Sequence, residues 1–174
     1  MPFAVTLVLD SATAGRLAAM RRQIAEQIAS ADPGQSEYAP HITLGVHPDD
    51  APIDDVQRAL QKLAAEWKPL PLSFCGFGIF PGPPPTLRAA PVVTSSLLAR
   101  HVELRAALSE VTPHEHFESD AWVPHVTVSA TLSDPAEALR VLLAMWRPLS
   151  GQLERLHLVH FPPVEVLRSH TLSF

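Results

Sequence analysis

A seven-residue stretch occurs twice in this chain. Tyr38-Ala39-Pro40-His41-Ile42-Thr43-Leu44 returns as Trp122-Val123-Pro124-His125-Val126-Thr127-Val128. Both copies read aromatic, aliphatic, Pro, His, β-branched, Thr, aliphatic. The histidines stand 84 positions apart (125 − 41), about half of the 174 residues. The β-branched residue between His and Thr favours a strand. Residues i and i+2 of a strand project from one face. Each copy therefore predicts one imidazole beside one hydroxyl, and the proline before it suits a strand's first position or an edge. A single His-x-Thr constrains little. A repeat at half the chain's length demands two equivalent units, each presenting such a face.

The flanking patterns agree. Phe3, Val5, Leu7 and Leu9 alternate as one side of a strand, and Asp10 or Ser11 can cap a helix carrying Leu17, Met20, Ile24 and Ile28. A loop over Ala31–Ser36 leads to the first His-x-Thr strand, about 41–46. A helix with Ile53, Val56, Leu60, Leu63 and Trp67 on one stripe precedes a strand from Leu70 to Phe80, where Gly76 and Gly78 allow a bulge. After the stiff Pro81-Gly82-Pro83-Pro84-Pro85 connector the order repeats. A strand spans Leu87 to Val93, and Thr94 or Ser95 caps a helix with Leu97, Leu104, Leu108 and Val111. The second His-x-Thr strand covers about 124–129. Asp134-Pro135-Ala136-Glu137 reads as an N-cap with a capping-box Glu, opening a helix with Leu139, Leu142, Leu143 and Trp146. Strands at about 152–161 and 164–173 close the chain. Trp67 matches Trp146, and Phe80 matches Phe161. The prediction is an α+β duplication in a single domain over 1–174, with lobes of about 1–80 and 87–174, exchange of terminal strands being possible. Two antiparallel sheets face a central groove, with helices packed outside.

No apolar run reaches the ~18 residues of a membrane span. The single cysteine, Cys75, cannot form an internal disulfide, and the N-terminus lacks a signal-peptide pattern, so a cytoplasmic setting is expected. A monomer is expected as well. A formal charge of −5 argues against a general nucleic-acid coat protein, though not against one RNA end or one nucleotide held in a local pocket.

Two imidazoles can divide proton transfer near neutral pH. One, neutral, takes a proton from water or a hydroxyl; the other, protonated, gives one to the leaving oxygen. Two threonine hydroxyls can hydrogen-bond the non-bridging oxygens between them. That set suits in-line displacement at a phosphodiester and requires no metal or other cofactor. These residues resemble the two-histidine (2H) phosphoesterase superfamily, which includes 2′-5′ RNA ligase-like proteins and 2′,3′-cyclic phosphodiesterases. Gly76-Phe77-Gly78-Ile79-Phe80-Pro81 and the closing Val164-Glu165-Val166-Leu167-Arg168 look like further pieces of that family. The resemblance implies a bilobal fold, with His41 as proton donor, His125 as acceptor and Thr43 and Thr127 holding the phosphate. It implies a cyclic phosphate or 2′-5′ linkage on a nucleotide or RNA end as substrate, and reversible 2′-5′ ligation as the reverse reaction. The basic residue often found shortly after the family's second motif is missing from Ser129-Ala130-Thr131. The positive charge is expected elsewhere, with Arg88 and Arg168 as candidates.

Two alternatives stand beside this reading. One is a metal-dependent hydrolase using His114, Glu115, His116, Glu118 and Asp120. The other is a non-catalytic module that binds a phosphorylated nucleotide. Tyr38 and Trp122 could stack a base, but three residues before each His on an extended chain they are expected to face away from it into the core. His157 and His160 are expected to be structural, and Cys75 a buried, inert thiol.

Overall fold

The computed structural model describes residues 2–28, 38–130, 132 and 134–173. The predicted loop Ala31–Ser36 lies outside the described residues. Strand β1 (Phe3–Leu9) is buried along its whole length. Asp10 caps helix α1 (Ser11–Gln27): its Oδ1 accepts from the Thr13 N–H at 2.9 Å and its Oδ2 from the Gln152 N–H at 2.8 Å. Strand β2 (His41–His47), helix α2 (Ile53–Glu66) and strand β3 (Leu70–Phe80) complete the first half. The second half repeats the order as β4 (Thr86–Pro91), α3 (Ser95–Ala107), β5 (Val126–Ser129), α4 (Pro135–Met145) and β6 (Ser150–His160), with β7 (Glu165–Thr171) added. Thr94 caps α3 through its hydroxyl. Asp134 caps α4, but Glu137 turns to Arg140 and does not close the capping box.

The sheet order is β2-β1-β6-β3-β4-β5, all antiparallel, with β7 beside the second part of β6. Each half thus contributes a central strand (β1, β4) flanked by its own His-x-Thr strand (β2, β5) and by the third strand of the other half (β6, β3). An approximate two-fold axis runs between β3 and β6, where Leu70 faces Leu153 and Ser73 faces Ser150. The two lobe sheets are joined along this line into an α+β fold. Their far edges, β2 and β5, come back into contact, so the sheet curves around a groove. Helices cover the outer face: Leu17, Ile24, Val56, Leu60, Leu97, Leu104, Val141 and Leu142 are buried against it.

The duplication extends to irregularities. Cys75 is the extra residue of a bulge in β3, and Glu154 the extra residue of a bulge in β6. A bulge reverses which residues face which side. After it, Gly76, Gly78 and Phe80 pair with Ala90, Arg88 and Thr86, and Arg155 and His157 pair with Val8 and Thr6, all on the groove side. This register matches Phe80 to Val159, not to Phe161 as the sequence suggested. The bulge also turns Cys75 outward, so this thiol is exposed rather than buried.

Candidate active site

The β2 register places Thr43 opposite Thr6 and His41 opposite Val8; the β5 register places Thr127 opposite Arg88. His41, Thr43, His125 and Thr127 are all partly exposed, while Ile42, Leu44, Val126 and Val128 are buried on the other face. Because β2 and β5 are in contact, the two His/Thr faces meet in one groove. Two side chains clamp the strands across the lobe boundary. Trp122 Nε1 donates to the Thr43 carbonyl at 2.9 Å. Arg21 of α1 donates to the Thr127 carbonyl at 3.1 Å and to the Val128 carbonyl at 2.9 Å. Edge strands leave carbonyls unpaired, and these donors satisfy them.

Both histidines are held in the same way. His41 Nδ1 donates to the Ala39 carbonyl and His125 Nδ1 to the Val123 carbonyl, each at 2.8 Å. The carbonyl lies two residues back, across Pro40 or Pro124. This fixes the tautomer, and Nε2 of each ring makes no hydrogen bond among the described residues. Neither threonine hydroxyl has a partner among them either. Among the described residues, two nitrogens and two hydroxyls are thus left without a partner.

Beyond these four residues the lobes differ. In the second lobe, the Phe80 ring meets His125 edge-on at 4.8 Å, and the Arg88 guanidinium lies over Phe80 at 4.4 Å. Gly78 makes room for it: a Cβ there would stand 3.3 Å from an Arg88 terminal nitrogen. In the first lobe, the positions of Gly78 and Gly76 are filled by His157 and Arg155. Tyr38 lies against His41, ring centroids 4.6 Å apart. Its hydroxyl is 2.6 Å from Thr6 Oγ1 and 3.0 Å from His157 Nδ1. The expectation that Tyr38 faces away from His41 is therefore wrong: β2 begins only at His41, and Tyr38 sits in a bend ahead of it. Trp122 stacks on His101 at 4.2 Å but is only partly buried, and it lines one cavity together with His125.

Burial lowers His41 to about 4; the charges of His125 and Arg21 push the same way and the Ala39 carbonyl opposes them. His125 is also lowered, by burial and then Arg88, against the Val123 carbonyl. Burial thus favours the neutral form of both rings in the free protein. Of the two arginines considered from sequence, Arg88 faces the groove. Arg168 does not: it pairs with Leu158 on the helix side and lines a separate cleft with Asp54, Arg58 and His170. Arg155 is the groove arginine that sequence reasoning missed, because the bulge at Glu154 sets its side.

Next to His125 lies a cavity of about 430 Å³ walled by Phe80, Phe117, Trp122 and Val123, with His116 at its edge. His114 caps the one-turn 3₁₀ helix Glu115–Phe117, and its ring centroid lies 4.9 Å from that of His116. Among the described residues, no group of three His, Cys, Asp or Glu side chains is placed to hold a metal ion. Among them, too, no helix is long and apolar enough to cross a membrane.

Two lobes bearing paired His-x-Thr strands around a groove are the arrangement of the two-histidine phosphoesterase superfamily. Residues 50–162 match the family model of the 2′-5′ RNA ligase superfamily, and residues 7–88 match that of LigT-like phosphoesterases. The chain belongs to the 2′-5′ RNA ligase superfamily, a family of phosphoesterases and ligases. The fold is that of TT0787 of Thermus thermophilus (TM-score 0.70, 19% identity, 99% of this chain and 98% of that one). It is also that of Escherichia coli LigT complexed with NADP+ (TM-score 0.58, 13% identity, 99% and 97%). Usb1 of Kluyveromyces marxianus with uridine monophosphate shares it as well (TM-score 0.54, 13% identity, 95% and 96%). At these identities the likeness concerns the fold. No curated protein sequence gives a match.

Proposed function

We propose that this chain is a phosphoesterase that opens a 2′,3′-cyclic phosphate, or a related ester, on a nucleotide or RNA end without a metal ion. The observation that carries the reading is the matched pair of imidazoles. Each has Nδ1–H fixed on a backbone carbonyl and Nε2 uncommitted, beside an unpartnered threonine hydroxyl. In this reading His125 takes a proton from water as its oxygen attacks phosphorus. The P–O bond to one ribose oxygen breaks in line, and His41 donates a proton to that oxygen. The hydroxyls of Thr43 and Thr127 hold the non-bridging oxygens. The family resemblance supplies the donor and acceptor roles. Arg88 beside His125 favours a neutral acceptor there. Burial opposes a charged His41 in the free protein, and the anionic substrate offsets it. Arg88 also supplies the positive charge absent after the second motif.

The cavity beside His125 has aromatic walls suited to a stacked base. The nucleotide complexes of LigT and Usb1 fit that use. Ligation to a 2′-5′ link is the same ring opening with a ribose 5′-hydroxyl in place of water: its oxygen bonds phosphorus as His125 takes its proton, the P–O3′ bond breaks, and O3′ takes the proton from His41. The four residues supply acid, base and oxyanion donors, so no metal is needed for the step.

The test is hydrolysis of a 2′,3′-cyclic mononucleotide. His41→Ala and His125→Ala are each expected to lose on the order of 10²–10⁴ in rate. Thr43→Ala and Thr127→Ala are expected to lose roughly 10- to 1000-fold. Dialysis against chelator should leave the rate unchanged. Folded His41→Ala or His125→Ala protein turning over like wild type would sink the mechanism. Loss on chelation restored by a divalent ion would favour a metal-dependent hydrolase, and binding without turnover a nucleotide-binding module.

A further inference from the structure

The two lobes match strand for strand, yet one surrounds its histidine with a hydrogen-bonded chain and the other does not. In the first lobe the chain runs Thr6 Oγ1, Tyr38 OH, His157 Nδ1, then His157 Nε2 to Ser169 Oγ at 2.9 Å. The corresponding places in the second lobe hold Arg88 for Thr6 and Gly78 for His157. Thr6 and His157 are 1% and 8% exposed and lie beneath the groove floor, while Tyr38 is partly exposed and Ser169 reaches water.

Such a chain is satisfied in one direction without any charge. The Thr6 hydroxyl donates to the Tyr38 oxygen, the Tyr38 hydroxyl donates to His157 Nδ1, and His157 Nε2–H donates to Ser169 Oγ. Every buried member then has a partner, as buried polar groups require. The consequence reaches His41 through the tyrosine. An aromatic ring held at its hydroxyl by two partners cannot swing, and this ring packs on the imidazole at 4.6 Å.

We propose that Thr6, Tyr38, His157 and Ser169 form a positioning device for His41. It fixes the ring that packs on the imidazole and engages both nitrogens of His157, leaving His41 as the one imidazole of this wall with a nitrogen open to substrate. Tyr38 and His157 act through His41 and are not catalytic residues. The charged and titratable groups facing His41 and His157 are His125, Arg21, Arg155, His170 and Tyr38; of these only Tyr38 belongs to the hydrogen-bonded chain, and burial raises its phenol to about 12, so it stays uncharged. Burial keeps His157 low, at about 4, with Arg155 and His41 adding to the effect, which agrees with an uncharged chain.

The inference rests on the phosphoesterase reading, and the experiment separates the two. Wild type, Tyr38→Phe, His157→Phe, the double variant Tyr38→Phe/His157→Phe, and His157→Asn are assayed on a 2′,3′-cyclic mononucleotide below the lowest Tm of the set. The His41 imidazole is titrated by NMR in each. Tyr38→Phe keeps the ring and removes its anchor. His157→Asn keeps a polar atom near the Nδ1 position and loses Ser169. The expected result is a fall in kcat of roughly 10- to 100-fold in Tyr38→Phe and in His157→Phe, the size of a small misplacement of a reacting group, with KM within about twofold. The double variant should lose no more than either single one, since residues acting as a unit are not additive. His157→Asn should recover most of kcat, and the His41 titration should move in the two phenylalanine variants and return in His157→Asn. Folded variants with unchanged kcat and an unchanged His41 titration would overturn the proposal. So would losses that multiply, or a rise in KM alone. Wild type without turnover would instead remove the phosphoesterase reading. The His41 titration would still decide whether the chain positions this ring.

Discussion

The groove of the free protein opposes a positive charge on either histidine, and this sets an expected pH profile. His41 lies at about 4 against an ordinary 6.5, a difference of roughly 2.5 units or about 3 kcal/mol against protonation. At pH 7 a group with pKa near 4 is protonated in about one molecule in a thousand, against about one in four at 6.5. Free-enzyme ionisations govern kcat/KM, and the pair titrates in two macroscopic steps rather than one per residue. His125 is lowered too, so both steps fall below 6.5. The expected profile of kcat/KM is a bell with its maximum between about pH 4 and 6.5, falling through neutrality. In kcat the same limbs should lie higher, because a bound phosphodiester anion offsets the burial that lowers both rings. By linkage, an anion that restored His41 to 6.5 would bind its protonated form about 300-fold more tightly than its neutral form. The measurements are initial rates on a 2′,3′-cyclic mononucleotide from pH 3.5 to 8.5, and an NMR titration of His41 with and without inorganic phosphate. A bell in kcat/KM with both limbs at or above 6.5, or a His41 titrating at its ordinary value in the free protein, would refute the electrostatic argument.

Three further outcomes follow from particular contacts. His41, His47 and His157 are each lowered to about 4, mainly by burial. The unfolded chain therefore binds more protons between pH 6.5 and 4. Stability is full above 6.5 and should fall by up to about 4 kcal/mol per pH unit near pH 5, read from urea midpoints; a flat curve there would contradict it. Gly151→Ala would drive a Cβ into Thr13 Oγ1 and Asp10 Oδ2, at the α1 cap, and should cost about 3 kcal/mol in thermal or urea unfolding. Arg88→Gln removes the cation beside His125 and should lower kcat/KM by roughly 10- to 1000-fold. It should also shift the His125 ionisation upward; an unchanged pH profile would show that the guanidinium does not act on this ring.

Much of the architecture is local and therefore readable in the chain. The period-2 pattern of Phe3–Leu9, the caps at Asp10, Thr94 and Asp134, and the His-x-Thr repeat each depend on residues within a few positions of one another. The same-face placement of His41 with Thr43, and of His125 with Thr127, follows from strand parity alone. The resemblance added the family. The features the sequence missed share one cause: side-chain direction along a strand survives only until an extra residue is inserted. The bulges at Cys75 and Glu154 exposed a thiol assigned to the core and turned Arg155 and His157 toward the groove. Arg168, a candidate from sequence, stayed on the helix side. Tyr38 escaped the parity argument because its strand starts three residues later. Which third strand joins which lobe was equally out of local reach, because antiparallel pairing of β1 with β6 joins residues about 150 positions apart and depends on how all seven strands close together. The paired chemistry was written locally, twice. The difference between the two copies, a tyrosine–histidine chain under one imidazole and an arginine beside the other, exists only where distant strands meet.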